Sequence, residues 1–250
     1  MGSSDAATKP GSTPRAGFAT THWSLVISAG RLDDPAAQQA LSELCQTYGY
    51  PLYAYVRRRG PNVHDAQDLT QGFFSHLLEK RTIARADRTR GRFRAFLLTA
   101  LKHFLLNERE KARAEKRGGG RPTLSLDFDS GESRYQIEPA DEVTPEDLYE
   151  GRWVLTLLDL VLAQLRTELT DAGKEAHFEA LKPALTGEAA AAAYERAAET
   201  LGVTVAAAKQ AGFRLRKRYR QLFRAEVLRT VADEGDVDDE IQRILAVLAG

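Results

Sequence analysis

The residues able to do covalent or metal chemistry are few in this chain. Five histidines (His22, His64, His76, His103, His177) are scattered and show no ligand spacing with acids or with the single cysteine, Cys45. No metal site is expected from such an arrangement, and one cysteine excludes a disulfide framework within the chain. A Gly-x-Ser-x-Gly nucleophile elbow is absent. So is the phosphate-binding Gly-x-x-x-x-Gly-Lys, and Gly118-Gly119-Gly120-Arg121 ends a helical pattern instead of following a strand. The chain therefore does not read as an enzyme, and no cofactor is expected. What remains is recognition by charge.

Formal charge is zero over the 250 residues, yet it is strongly segregated. Tyr50 to Arg121 carries seventeen bases against seven acids, and Pro122 to Gly151 carries nine acids against one base. Lys209 to Arg220 then holds six bases and no acids, and Asp233 to Glu240 holds six acids and no bases. Two basic blocks separated by an acidic one suggest two contacts with a polyanion. Solvated helix surfaces of mixed charge are the plainer reading of either block alone.

The elements that must carry these charges are helices. Apolar spacing predicts a long helix over Pro35–Arg59 with Pro51 as a kink, stopped by Gly60-Pro61-Asn62. Helices over Ala66–Lys80, capped by Asp65, and over Arg92–Arg117 come next. Thr144-Pro145-Glu146-Asp147 is a helix start, with a Thr cap, proline in the first turn and an acid three residues on. Further helices are expected near Lys174–Leu185, Gly187–Leu201, Val205–Val231 and Asp238–Leu248. No alternating strand pattern of useful length occurs. The expectation is an all-α protein with two helical domains joined by an acidic flexible linker, the second a helix-turn-helix domain. Its divisions are a disordered tail (1–20), a first domain (21–120), the linker (121–144), a second domain (145–232) and an acidic extension with a short helix (233–250). No apolar run is long enough to span a membrane. No secretory signal is apparent, so a cytoplasmic location is expected.

Tyr194 to Leu222 has the layout of a helix-turn-helix. Gly202 permits a left-handed turn, Val203 can plug the core beneath it, and Thr204 can cap the next helix. On that helix Ala208, Gly212, Leu215, Tyr219 and Leu222 share one face. Lys209, Gln210, Phe213, Arg214, Lys217 and Arg220 share the other, a face suited to base edges and thymine methyls in a major groove. An ordinary helical hairpin with a basic exterior is the alternative. In the first basic block, Leu69, Phe73 and Leu77 point inward, while Gln67, Asp68, Gln71 and Ser75 form a polar face that could dock a basic partner. The Arg92–Arg117 helix buries Phe93, Phe96, Leu97, Leu101, Phe104 and Leu105. It exposes Arg94, Lys102, Arg109, Arg113, Lys116 and Arg117, and phosphate contact is the default use of such a face.

These residues resemble a known family. Asp65-Ala66-Gln67-Asp68-Leu69-Thr70-Gln71-Gly72-Phe73-Phe74 is similar to the Asp-Ala-Glu-Asp-Leu-x-Gln-Glu-x-Phe signature of bacterial RNA polymerase sigma factors. Gly91-Arg92-Phe93-Arg94-Ala95-Phe96-Leu97 resembles the start of that family's promoter-melting helix. The helix-turn-helix resembles its second domain, and two domains alone resemble the extracytoplasmic-function subgroup. The resemblance implies that Asp65, Asp68 and Gln71 meet core RNA polymerase. It implies that Lys102, His103, Asn107, Arg109 and Arg113 face the minus-ten promoter DNA. It places Thr204, Lys209, Gln210, Phe213, Arg214 and Lys217 on the minus-thirty-five element, and threads the acidic linker along the polymerase cleft. It also allows an anti-sigma factor or another regulator as partner, with no membrane insertion.

Gln67 and Gly72 depart from the pattern, standing where the family carries Glu. A phosphate on Thr70 would restore charge there, but Thr70 projects toward the buried edge beside Ala66 and Leu77. Two other readings stay open: a free-standing helix-turn-helix regulator, and a degenerate sigma-like protein that binds a partner without directing transcription. The acidic extension packs on its own domain or covers the basic recognition helix.

Overall fold

The computed structural model describes residues 35–79, 92–114, 129–136, 143–186, 190–231 and 233–249. The amino-terminal tail, the apolar stretch Trp23–Ala29, the Gly118–Gly120 stop and most of the acidic linker lie outside the described residues. Among those described, every regular element is helical.

Helix α1 (Pro35–Arg58) is the centre of the molecule. From Thr47 to Val56 only Tyr50 escapes full burial, and Pro51 sits inside the helix without ending it. Around α1 lie α2 (Val63–Glu79), α3 (Phe93–Ala114), the short α4 (Asp129–Tyr135) and the first half of α5 (Pro145–Asp171). The start of α2 differs from expectation. Asn62, not Asp65, is the cap: its Oδ1 accepts from the Asp65 backbone N–H at 2.9 Å, so the helix begins about one turn earlier. Thr144 caps α5 as expected, its Oγ1 accepting from Asp147 N–H at 3.1 Å.

Beyond α5 come α6 (Glu175–Leu181), a 3-10 turn (Lys182–Ala184), α7 (Ala190–Leu201), α8 (Val205–Thr230) and α9 (Val237–Ala249). Between α7 and α8, Gly202 takes φ +63°, Val203 N–H donates to Ala198 O, and Gly202 N–H donates to Glu199 O. Those two reversed bonds satisfy the last carbonyls of α7 with a left-handed glycine. Thr204 then caps α8 by accepting from Ala207 N–H at 3.2 Å. Val203 does not plug the core, for it is 41% exposed. The Tyr194 ring already fills the crossing of α7 and α8, close over Gly212.

Two apolar clusters organise the chain, and two long helices share them. Tyr149, Trp153, Val154 and Leu157 of α5 join α1, α2 and α3 in the first, while Val161 and Leu165 enter the second with α6, α7 and α8. Helix α8 does the reverse, with Ala208, Leu215 and Leu222 in the second cluster and Val227 in the first. Val237 and Ile244 of α9 complete the first cluster. Within the stretch read as a linker, α4 docks on α1. Glu132 accepts from Arg57 Nη2 at 3.2 Å and from the Tyr53 hydroxyl, and Arg134 stacks 4.2 Å over the Tyr50 ring.

Candidate functional site

Three surfaces carry the residues singled out by sequence. On α2, Asp65 and Asp68 are exposed one turn apart, and Gln71 is half-buried with its Oε1 lacking a hydrogen-bond partner among the described residues. Asp65 and Asp68 line an open groove of about 610 Å³ together with Arg59, Leu69, Leu105 and Arg109. Residues assigned by resemblance to polymerase and to DNA therefore border the same groove. Thr70 is fully buried and its hydroxyl donates to Ala66 O at 2.7 Å, so no modifying enzyme reaches it in this conformation.

On α3, His103, Asn107 and Arg109 are exposed and Arg113 lies in the last turn. Lys102 is half-exposed and bridges to Glu146, in the first turn of α5, at 2.8 Å. The hydrogen bond between them raises the Lys102 ammonium above its ordinary value and holds the Glu146 carboxyl below its own.

Arg94 is not on the exposed face. It is 3% exposed, with its guanidinium 4.2 Å over the Trp153 ring. Its Nε donates to Glu150 at 2.6 Å, and its Nη1 forms an ion pair with Glu240. Arg92 Nε stands 2.7 Å from the same Glu240 carboxylate. These two Glu240 contacts, and a longer one of 3.7 Å to Arg243 on the same helix, are ion pairs without the alignment of hydrogen bonds. A guanidinium can be buried when carboxylates and an aromatic face replace its water, and all three partners here come from α5 and α9. Glu240 went unnoticed in the sequence as one acid among six. The signal that finds it is its spacing between Val237 and Ile244, which puts a carboxylate on the buried stripe of α9.

On α8 the structure separates two faces. Ala208, Gly212, Leu215 and Leu222 are buried, whereas Lys209, Gln210, Phe213, Arg214 and Lys217 are exposed, Phe213 by 62%. Lys209, Arg214, Lys217 and Arg220 form no ion pair among the described residues. Phe213, Lys217, Arg220 and Arg224 border an open groove of about 620 Å³. The helix is anchored from behind: Arg218 donates two hydrogen bonds of 2.7 Å to Glu168 of α5, which hold that carboxyl below its ordinary value.

No group of three or more metal-ligating side chains occurs among the described residues. Burial pushes the Cys45 thiol up to about 12, so it is protonated at neutral pH and a poor nucleophile. Among the described residues, no helix is long and apolar enough to cross a membrane.

Among the described residues the protein is all-helical, with exposed basic side chains on α3 and α8. Residues 44–115 match the family model Sigma-70 region 2. Sigma-70 region 2 is the part of sigma factors that binds core RNA polymerase and promoter DNA in transcription initiation, a regulatory module rather than an enzyme, and this segment is similar to it. No curated protein and no solved structure is matched by this chain.

Proposed function

We propose that the whole chain is a sigma factor of the extracytoplasmic-function kind, which directs RNA polymerase to promoters and assists their melting. The region 2 match over residues 44–115 carries this reading. The order of the elements after residue 115 supports it: an acidic stretch, then a capped turn at Gly202–Thr204 and an exposed basic face on α8. Asp65, Asp68 and Gln71 dock on core polymerase. Lys102, His103, Asn107, Arg109 and Arg113 engage the minus-ten DNA, where unpaired bases are held at a cost of a few kcal/mol. Lys209, Gln210, Phe213, Arg214 and Lys217 enter the major groove at the upstream element, with Thr204 at the helix start. Gln67 and Gly72 in place of Glu weaken the polymerase contact by ~0.2–1 kcal/mol for each exposed pair lost, without abolishing it.

The test is transcription in vitro with core polymerase of the same host and a fragmented genomic library. Specific transcripts sharing two upstream motifs establish the reading. A stable complex with core that yields no transcripts overturns it in favour of a sigma-like interaction protein. Failure to bind core, with tight binding to palindromic DNA, identifies a free-standing regulator.

A further inference from the structure

We infer that the carboxyl-terminal half of this protein carries an intramolecular carboxylate cover, Glu146, Glu150 and Glu240, which occupies the basic start of α3 in place of nucleic-acid phosphate. The inference rests on the region 2 domain binding DNA through α3. Three cations stand between residues 92 and 102: Arg92, Arg94 and Lys102. Each is paired with a carboxylate from α5 or α9. Glu240 meets Arg92 and Arg94, Glu150 meets Arg94 at 2.6 Å, and Glu146 meets Lys102 at 2.8 Å. Carboxylate and phosphate oxygens accept from these donors in the same way, so a phosphate competes with the carboxylate for the charge of each cation. Farther along α3, His103, Asn107 and Arg109 are exposed, so the cover is confined to one end of the helix.

Exposure sets the order in which the cover yields. The Lys102–Glu146 pair is 42% exposed on both sides and exchanges partners readily. Arg92 is 31% exposed, yet its partner Glu240 is 1% exposed and cannot move unless α9 moves. Val237 and Ile244 flank Glu240 on the buried stripe, so α9 leaves as a unit. The same helix reaches α8, where Asp238 pairs with Arg224 at the end of the basic groove. Helix α9 thus neutralises cations next to both basic surfaces.

The test uses the full chain and a generic duplex DNA probe, with affinity measured across a series of salt concentrations. Glu146→Gln releases Lys102 at a surface position where folding is not at stake. Glu240→Gln keeps the side-chain shape and releases Arg92. Each cation gained for phosphate steepens the slope of log K against log salt by about 1. We expect that steepening, with about threefold to tenfold tighter binding at low salt, for each variant. Unchanged affinity and slope in a folded Glu146→Gln protein overturns the cover, whatever Glu240→Gln does. Transcription with core polymerase separates this result from the sigma-factor reading. A steeper slope without transcripts leaves the cover standing and removes that reading, and transcripts with an unchanged slope do the reverse.

Discussion

Replacing Gly212 with alanine adds one methyl group where α8 crosses α7. A Cβ built there stands 2.4 Å from Tyr194 Cε1, 2.7 Å from its hydroxyl and 3.0 Å from Cζ. Favourable carbon contacts lie near ~3.5–4.0 Å, so the ring must retreat by about 1 Å. Tyr194 is 5% exposed and its hydroxyl is engaged by Arg216 Nη1, which leaves little room for retreat. Overpacking of this kind costs ~1–3 kcal/mol, and alanine returns ~0.5–1 kcal/mol of helix propensity. The net expectation is a loss of about 0.5–2 kcal/mol, or a fall of ~1–8 °C in Tm for a chain of this size. Thermal unfolding followed by circular dichroism measures it. Gly72→Ala is the control, because its Cβ meets only Phe104 Cζ at 3.4 Å. That variant should gain ~0.5–1 kcal/mol from propensity alone. A double-mutant cycle adds a second check: Tyr194→Ala should cost less in the Gly212→Ala background than in the wild type, by ~1–2 kcal/mol. A Gly212→Ala protein as stable as the wild type, or independent costs in the cycle, would refute the close packing of this crossing.

Other perturbations probe the parts that position the surfaces. Thr204→Ala removes the acceptor for Ala207 N–H and should cost ~0.5–2 kcal/mol in chemical denaturation, while Thr204→Ser should cost much less. Arg94→Ala takes the buried cation from Glu240 and Glu150, leaving Glu240 to Arg92, and should cost up to ~3–5 kcal/mol, whereas Arg94→Met with Glu240→Leu should be milder than Arg94→Ala, as read from denaturant midpoints. Burial raises the Glu132 carboxyl, but hydrogen bonds from Tyr53 and Arg57 outweigh it and hold the group below its ordinary value. Such a carboxylate stabilises the fold above the unfolded carboxyl range and loses that contribution as pH falls through its folded value. Tm should therefore fall in acid, and the difference between wild type and Glu132→Gln should shrink as pH drops below ~4.

Local chemistry was legible along much of the chain. Gly202, Thr204 and Thr144-Pro145 set helix ends because a left-handed residue, a hydroxyl acceptor and a proline act within one turn of themselves. The two faces of α8 were legible because a helix of fixed period sorts its own side chains. Asp65, Asp68 and Gln71 were singled out by their order in a motif, which needs no three-dimensional information. Arg94 and Val203 were misjudged for the opposite reason. On a helical wheel an arginine at the edge of an apolar stripe belongs outside, and a valine after a turn glycine belongs inside.

Only the tertiary structure brought Glu150, Trp153 and Glu240 to Arg94, and only it put the Tyr194 ring where Val203 was expected to pack. The same holds for the sharing of two apolar clusters by α5 and α8. Periodicity shows that a helix has an apolar stripe, but not that its two halves serve different clusters. Residue types and spacing thus determined most of the long helices, the caps at Thr144 and Thr204 and the exposed basic face of α8, but not the start of α2 at Asn62 or the short α4. Which charges are covered was decided by contacts between residues far apart in the chain, because the cost of burying a charge depends on the partner that meets it.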